Sequence, residues 1–172
     1  MALTSTLVSV EEYLSTGYRP DCEYLEGTVL ERNVGEFEHS RSQTNLASYC
    51  RVREKQWGIV ALTEQRVQVT TERFRVPDVC VLKAGASRDP VLLRPPFLCI
   101  EILSKNDTMT EMQERIDDYL AMGVPFVWVV DPRRRRGHVY TESGRLEVAE
   151  AGVLRTSSPD MEVPLAEIFE GI

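Results

Sequence analysis

Two carboxylates stand out because of what surrounds them. Glu101 sits in the run Phe97-Leu98-Cys99-Ile100-Glu101-Ile102-Leu103, where every other residue is apolar, and Asp78 follows Pro77 at the head of another apolar run, Val79-Cys80-Val81-Leu82. An acid in such a run must face solvent on a half-exposed strand or be compensated by a metal, a cation or a proton. If the two strands are neighbours, both carboxylates come within reach of one hard cation. Mg²⁺ takes this kind of set, one or two carboxylates with the remaining positions left to water and phosphate oxygens. The chemistry that follows is metal-assisted phosphodiester cleavage. Plainer alternatives stay open from these residues alone: a solvated edge or a salt bridge for Glu101, a post-proline turn for Asp78.

Other reactive groups narrow the field. His39 and His138 are too few for a histidine-rich metal site, and His138 in Gly137-His138-Val139-Tyr140 reads as a strand surface residue. Cys22, Cys50, Cys80 and Cys99 are scattered, with no CxxC pair and no histidine at zinc-ligand spacing. Free thiols of this kind behave as small core residues and are expected in a reduced, cytoplasmic compartment. No G-x-S-x-G occurs, which leaves nucleophilic serine chemistry without support. Arg133, Arg134, Arg135 and Arg136 form a basic cluster that reads as a solvated turn or as a contact to a phosphate backbone.

The elements that must position these residues follow from periodicity. Ser9-Val10-Glu11-Glu12 fits a capping box and opens a short helix, with Tyr13 and Leu14 expected to be buried. Glu26-Gly27 between two short alternating runs predicts a hairpin, and residues 38–57 predict a long helix stopped by Gly58. The period then changes to two, and strands are expected at 58–62, 66–69, 78–82 and 97–103, joined in one sheet. Met112, Ile116, Tyr119 and Leu120 recur at helical spacing before Gly123, and Phe126-Val127-Trp128-Val129-Val130 reads as a central strand with Trp128 in the core. An outer hairpin is expected from 138–140 and 146–148. Strand, helix, strand in this order predicts an α/β fold with a mixed sheet.

Length and charge set the outer bounds. The chain has 172 residues, the size of one domain spanning 1–172, and no apolar run long enough to cross a membrane. Its net charge of −7 argues against nucleic acid until it is divided: residues 1–38 carry −6, residues 39–136 carry +4 and residues 137–172 carry −5. The basic middle holds nearly all the suggestive residues.

These residues together resemble a known family. Glu23-Tyr24-Leu25-Glu26-Gly27, His39, Arg75-Val76-Pro77-Asp78-Val79, Pro95-Pro96 through Ser104, Tyr119 to Val124, and Val127 through Asp131-Pro132 fall in the order and at the gaps of the Uma-two family. Its members are bacterial endonucleases with the restriction-endonuclease-like PD-(D/E)XK fold. The resemblance covers about residues 9–170. It implies a restriction-endonuclease-like core, a mixed β-sheet flanked by helices with the active site at one sheet edge, and Mg²⁺ or Mn²⁺ as cofactor. Asp78 would be the central metal ligand, Glu101 the second acid and the backbone carbonyl of Ile102 a third ligand. Glu23 would complete the metal site or position a water, and His39 would contact phosphate or orient Glu23. DNA is the implied partner, bound by a homodimer whose two sites reach two strands.

One position departs from the family pattern. The usual lysine two residues after the glutamate is Leu103 here, and the place from which relatives supply it, four residues before Tyr119, holds Arg115. Arginine can stabilise charge on a phosphate, but with a pKa above roughly 12 it is poorly suited to shuttle a proton. Lys105 and Gln113 are the nearby substitutes. A rival reading is therefore a nuclease fold that has lost catalysis and keeps nucleic-acid binding or partner assembly. A small-molecule binding domain is a third, drawn from the acidic composition.

Overall fold

The computed structural model describes residues 7–33 and 35–172. Helix α1 (Val10–Ser15) is capped by the Ser9 hydroxyl, which accepts the Glu12 N–H at 3.1 Å. It buries Tyr13 and packs Val10 against the same aromatic cluster but leaves Leu14 exposed. Strands β1 (Cys22–Leu25) and β2 (Thr28–Glu31) form the expected hairpin. Its two turn residues, Glu26 and Gly27, have φ of 49° and 93°, the left-handed pair that a two-residue hairpin turn requires.

The long helix expected at 38–57 is broken. Helix α2 (Phe37–Val52) ends at Arg53, α3 (Glu54–Trp57) follows, and Gly58 at φ 64° closes it. The main sheet contains β3 (Ile59–Thr63), β6 (Val79–Lys83), β7 (Leu98–Ile102), β8 (Phe126–Asp131), β9 (Arg136–Thr141) and β10 (Gly144–Val148), once β4 (Val67–Thr70) and β5 (Arg73–Arg75) are counted in chain order. Its spatial order is β10-β9-β8-β7-β6-β3, and only β7 and β8 are parallel. The crossover between them is α4 (Met109–Met122), held by a complete Thr108/Glu111 capping box and ended by Gly123 at φ 101°. The expectation of one sheet needs correction: β4 pairs with β5 in a second, four-stranded sheet of order β2-β1-β5-β4. A two-stranded sheet, β11 (Val153–Arg155) with β12 (Glu162–Pro164), and helix α5 (Leu165–Ile168) complete the described chain.

The main sheet buries both faces. Val79, Val81, Ile100 and Trp128 pack with Leu46 and Cys50 of α2 and Ile168 of α5. On the opposite face Cys80, Cys99, Val127 and Val129 meet Met112, Ile116 and Tyr119 of α4 and Val67 of β4. Alternation along β7 puts Glu101 on the α4 face with Cys99, and alternation from Cys80 puts Asp78 on that face too. Glu101 meets Tyr119 of α4, whereas the Asp78 carboxylate is held by His39 of α2, Arg32 and the Ile102 N–H. Asp78 immediately precedes β6 and Glu101 lies near the end of the antiparallel β7, so the two acids come to the same end of two adjacent inner strands. Among the described residues no helix is long and apolar enough to cross a membrane.

Candidate active site

Asp78 is buried just before β6, and its carboxylate has partners from three directions. Ile102 donates its backbone N–H to Oδ2 at 2.7 Å, His39 Nε2 lies 3.2 Å from the same oxygen, and Arg32 Nη2 contacts Oδ1. Gln43 of α2 donates to the Asp78 carbonyl at 3.0 Å, which fixes the helix against this point. His39 therefore faces Asp78 and not Glu23, contrary to one expectation. Burial disfavours its charged form, but the hydrogen bond and the charge of Asp78 outweigh this and raise its pKa.

Glu101, 4% exposed, accepts the Tyr119 hydroxyl at 2.6 Å through Oε1. Burial first, and then the negative charge of Asp78, push its pKa up to about 8. The two acids share a cavity of about 20 Å³, room for one water or a bare ion. Ile102, Ser104, Asp107 and Arg115 line the rest of it, and Arg32, Asn33 and His39 close it. Larger cavities of about 550 and 320 Å³ flank residues 84–97 and contain none of these groups.

Glu23, on β1, is buried but does not line the cavity. Arg75 Nη1 donates to its Oε2 at 2.7 Å, the Val76 N–H to its Oε1 at 3.3 Å, and Arg115 Nε lies 3.4 Å away. Arg75 also donates to Asp118 of α4 at 2.7 Å. Glu23 is thus engaged by arginines. Among the described residues no three His, Cys, Asp or Glu side chains stand together at ligand spacing.

Arg115 does reach the site, between Glu23 and Asp107. Burial opposes its charge, but Glu101, Glu23 and Asp107 outweigh that and raise its pKa further. It is a permanent cation here and cannot relay a proton. Asp107 accepts the Ser104 N–H at 2.7 Å and Asn33 at 2.9 Å. Burial would raise its pKa, but these bonds and the charge of Arg115 outweigh it and hold the carboxyl below the usual range. Lys105 is exposed and outside the cavity lining, and Gln113 points away, bonded to Asp117 at 2.8 Å.

The arginine cluster lies on the β8–β9 turn. Because β7 and β8 are parallel, this turn is at the same end of the sheet as Glu101. Each arginine has an acidic partner: Arg133 with Glu36, Arg134 with Asp131, Arg135 with Glu150 and Arg136 with Glu147. Asp131 accepts the Arg134 N–H at 3.1 Å and so caps the turn as expected. His138 is buried against Glu147 at 3.0 Å instead of lying on the surface.

Sequence reasoning missed Arg32, Asp107 and the Tyr119 hydroxyl. Arg32 and Asp107 come from irregular segments, where no periodicity fixes a direction. The Tyr119 bond could have been anticipated, because a buried acid and a buried phenol at facing positions satisfy one another.

A divalent cation fits the donor set in one respect and meets an obstacle in another. Two adjoining buried acids, one with its pKa raised by burial and by the other's charge, form a site where a cation can take the place of a proton, and Ser104 Oγ beside them is buried without a partner. The obstacle is Arg32, which already occupies Asp78.

The family described as "Uma2: Putative restriction endonuclease" matches residues 10–171. A crystal structure from Anabaena variabilis ATCC 29413, described as "a putative nuclease belonging to DUF820", superposes with a TM-score of 0.83 at 22% identity, over 94% of this chain and 97% of that one. That likeness establishes the fold. A DrdV–DNA complex aligns with a TM-score of 0.43 at 12% identity, over 59% of this chain and 9% of that one. No curated protein matches. With the match covering residues 10–171, nearly the whole chain, the protein belongs to the Uma2 family.

Proposed function

We propose that the protein is a metal-dependent endonuclease that hydrolyses DNA phosphodiester bonds. The observation that carries this reading is the pair Asp78 and Glu101, buried together at a one-ion cavity with a permanent cation, Arg115, on its wall. Mg²⁺ or Mn²⁺ would be held by the two carboxylates and the Ile102 carbonyl. When bound, the cation supplies Lewis-acid activation of water and of the phosphate. Arg115 faces the scissile phosphate and stabilises its developing charge. The unpartnered Ser104 hydroxyl orients a water or a phosphate oxygen. Tyr119 holds the Glu101 carboxyl in place. His39 braces Asp78, and Glu23 acts through Arg115 as a positioning residue. Lys105 has no part in this arrangement. The protein would act in the cytoplasm, consistent with four free buried cysteines, and as a homodimer that reaches both strands.

The test is cleavage of supercoiled plasmid and single-stranded DNA with Mg²⁺, Mn²⁺ or EDTA, beside an Asp78→Ala control. Metal-dependent cutting that vanishes in the control supports the enzyme. A second reading, a catalytically impaired nuclease fold that binds nucleic acid or a partner, is favoured by one observation: Arg115 replaces the proton-relaying lysine and is engaged by Glu23 and Asp107. Salt-sensitive DNA retention without any cutting would select it.

A further inference from the structure

The contact between Arg32 and Asp78 is not explained by the reading above. Arg32 follows β2, in the second sheet, and crosses to the acid that immediately precedes β6 in the main one. Its guanidinium is largely buried, its side chain 17% exposed, with Nη2 on Asp78 Oδ1 and Nη1 3.5 Å from Glu64 Oε1 at the outer rim. The remaining carboxylate oxygen of Asp78 is taken by the Ile102 N–H and by His39. The cavity beside it has room for one ion. A guanidinium and a divalent cation on the same carboxylate in that space repel each other, so one must leave for the other to enter. Arg32 has somewhere to go. The two non-bridging oxygens of a phosphodiester offer a guanidinium the same bidentate, charge-assisted pairing that a carboxylate does, and Arg32 already reaches outward to the half-exposed Glu64.

We propose that Arg32 is a built-in counter-cation which keeps Asp78 closed to divalent metal until a nucleic-acid phosphate draws it away, so that metal and phosphodiester bind cooperatively. The inference rests on the metal-dependent reading of this site and adds to it an order of assembly. Free protein binds metal weakly; protein with a phosphodiester in place binds it well. By reciprocity, metal tightens the phosphodiester by the same factor.

The experiment measures Mn²⁺ binding directly, from the resonance signal of free Mn²⁺, with no turnover needed. Wild type, Arg32→Gln and Glu64→Gln are compared with and without a phosphorothioate dodecanucleotide, which is charged but resists cleavage. Arg32→Gln should bind Mn²⁺ about tenfold more tightly than wild type without DNA, the scale of removing one like charge from a partly buried site. Glu64→Gln removes the carboxylate that draws Arg32 outward and one negative charge near the site, so it should lower the Mn²⁺ affinity of the free protein by a smaller factor, and it serves if Arg32→Gln does not fold. The oligonucleotide should tighten Mn²⁺ binding to wild type by a similar factor and leave Arg32→Gln nearly unchanged. Equal Mn²⁺ affinity in all three proteins, or equal tightening by the oligonucleotide, would overturn the role of Arg32 and leave the nuclease reading standing. No Mn²⁺ binding by any of them, with or without DNA, would overturn the metal site itself.

Discussion

Glu101 ties stability to function at the level of a single proton. Its folded pKa, pushed up to about 8 by burial and by Asp78, lies above the ordinary carboxylate value of 4.5. The native state therefore binds more protons than the unfolded chain between those two values, and metal-free stability falls as pH rises from about 4.5 to about 8. Glu101→Gln should flatten that slope in a series of thermal melts, and an unchanged slope would refute the assignment. Asp107 has the opposite sign. Its depressed pKa contributes stability at neutral pH that disappears as pH falls through the acid range, and Asp107→Asn should remove that part of the acid transition. The sequence showed Asp78 and Glu101 because an acid among apolar residues violates a simple rule. It did not show Arg32, because Arg32 belongs to no periodic run and lies 46 residues from its partner.

The elements differ in how plainly they could be read. Helix α4 was visible from its caps and from Met112, Ile116 and Tyr119 at helical spacing, and the structure buries those three residues. Ile116→Ala should cost about 2–5 kcal/mol in denaturant unfolding, as for other buried aliphatic truncations. Strand β5 was invisible, since Arg73-Phe74-Arg75 resembles a charged loop. Its burial depends on long-range pairing: Arg75 meets Glu23 of β1 and Asp118 of α4, and Arg73 meets Glu114 and Asp118. Arg75 thus joins the second sheet to the crossover helix. Removing it strands a buried carboxylate, so Arg75→Ala should destabilise by about 3–5 kcal/mol. A change near zero would mean that water or Arg115 takes over Glu23.

At the scale of the whole molecule, division of the charge along the chain proves a poor guide to the surface. Arginines of the basic middle find carboxylates in the acidic flanks: Arg75 with Glu23, Arg133 with Glu36, Arg136 with Glu147 and Arg135 with Glu150. Folding brings the opposite signs together and removes much of the apparent basic region. Nucleic-acid binding by such a surface must exchange existing ion pairs for phosphate pairs. Exposed pairs contribute about 0–1 kcal/mol each, so the exchange is feasible on the β8–β9 turn, where Arg133 and Arg134 are about half exposed or more. Retention on DNA should then be modest at physiological salt and steeply salt-dependent. Arg133→Ala together with Arg134→Ala should reduce the slope of log Kobs against log[salt] by about 0.9 for each duplex phosphate that these arginines neutralise. A slope identical to wild type would place the phosphate-binding surface elsewhere and leave these arginines as partners of their own carboxylates.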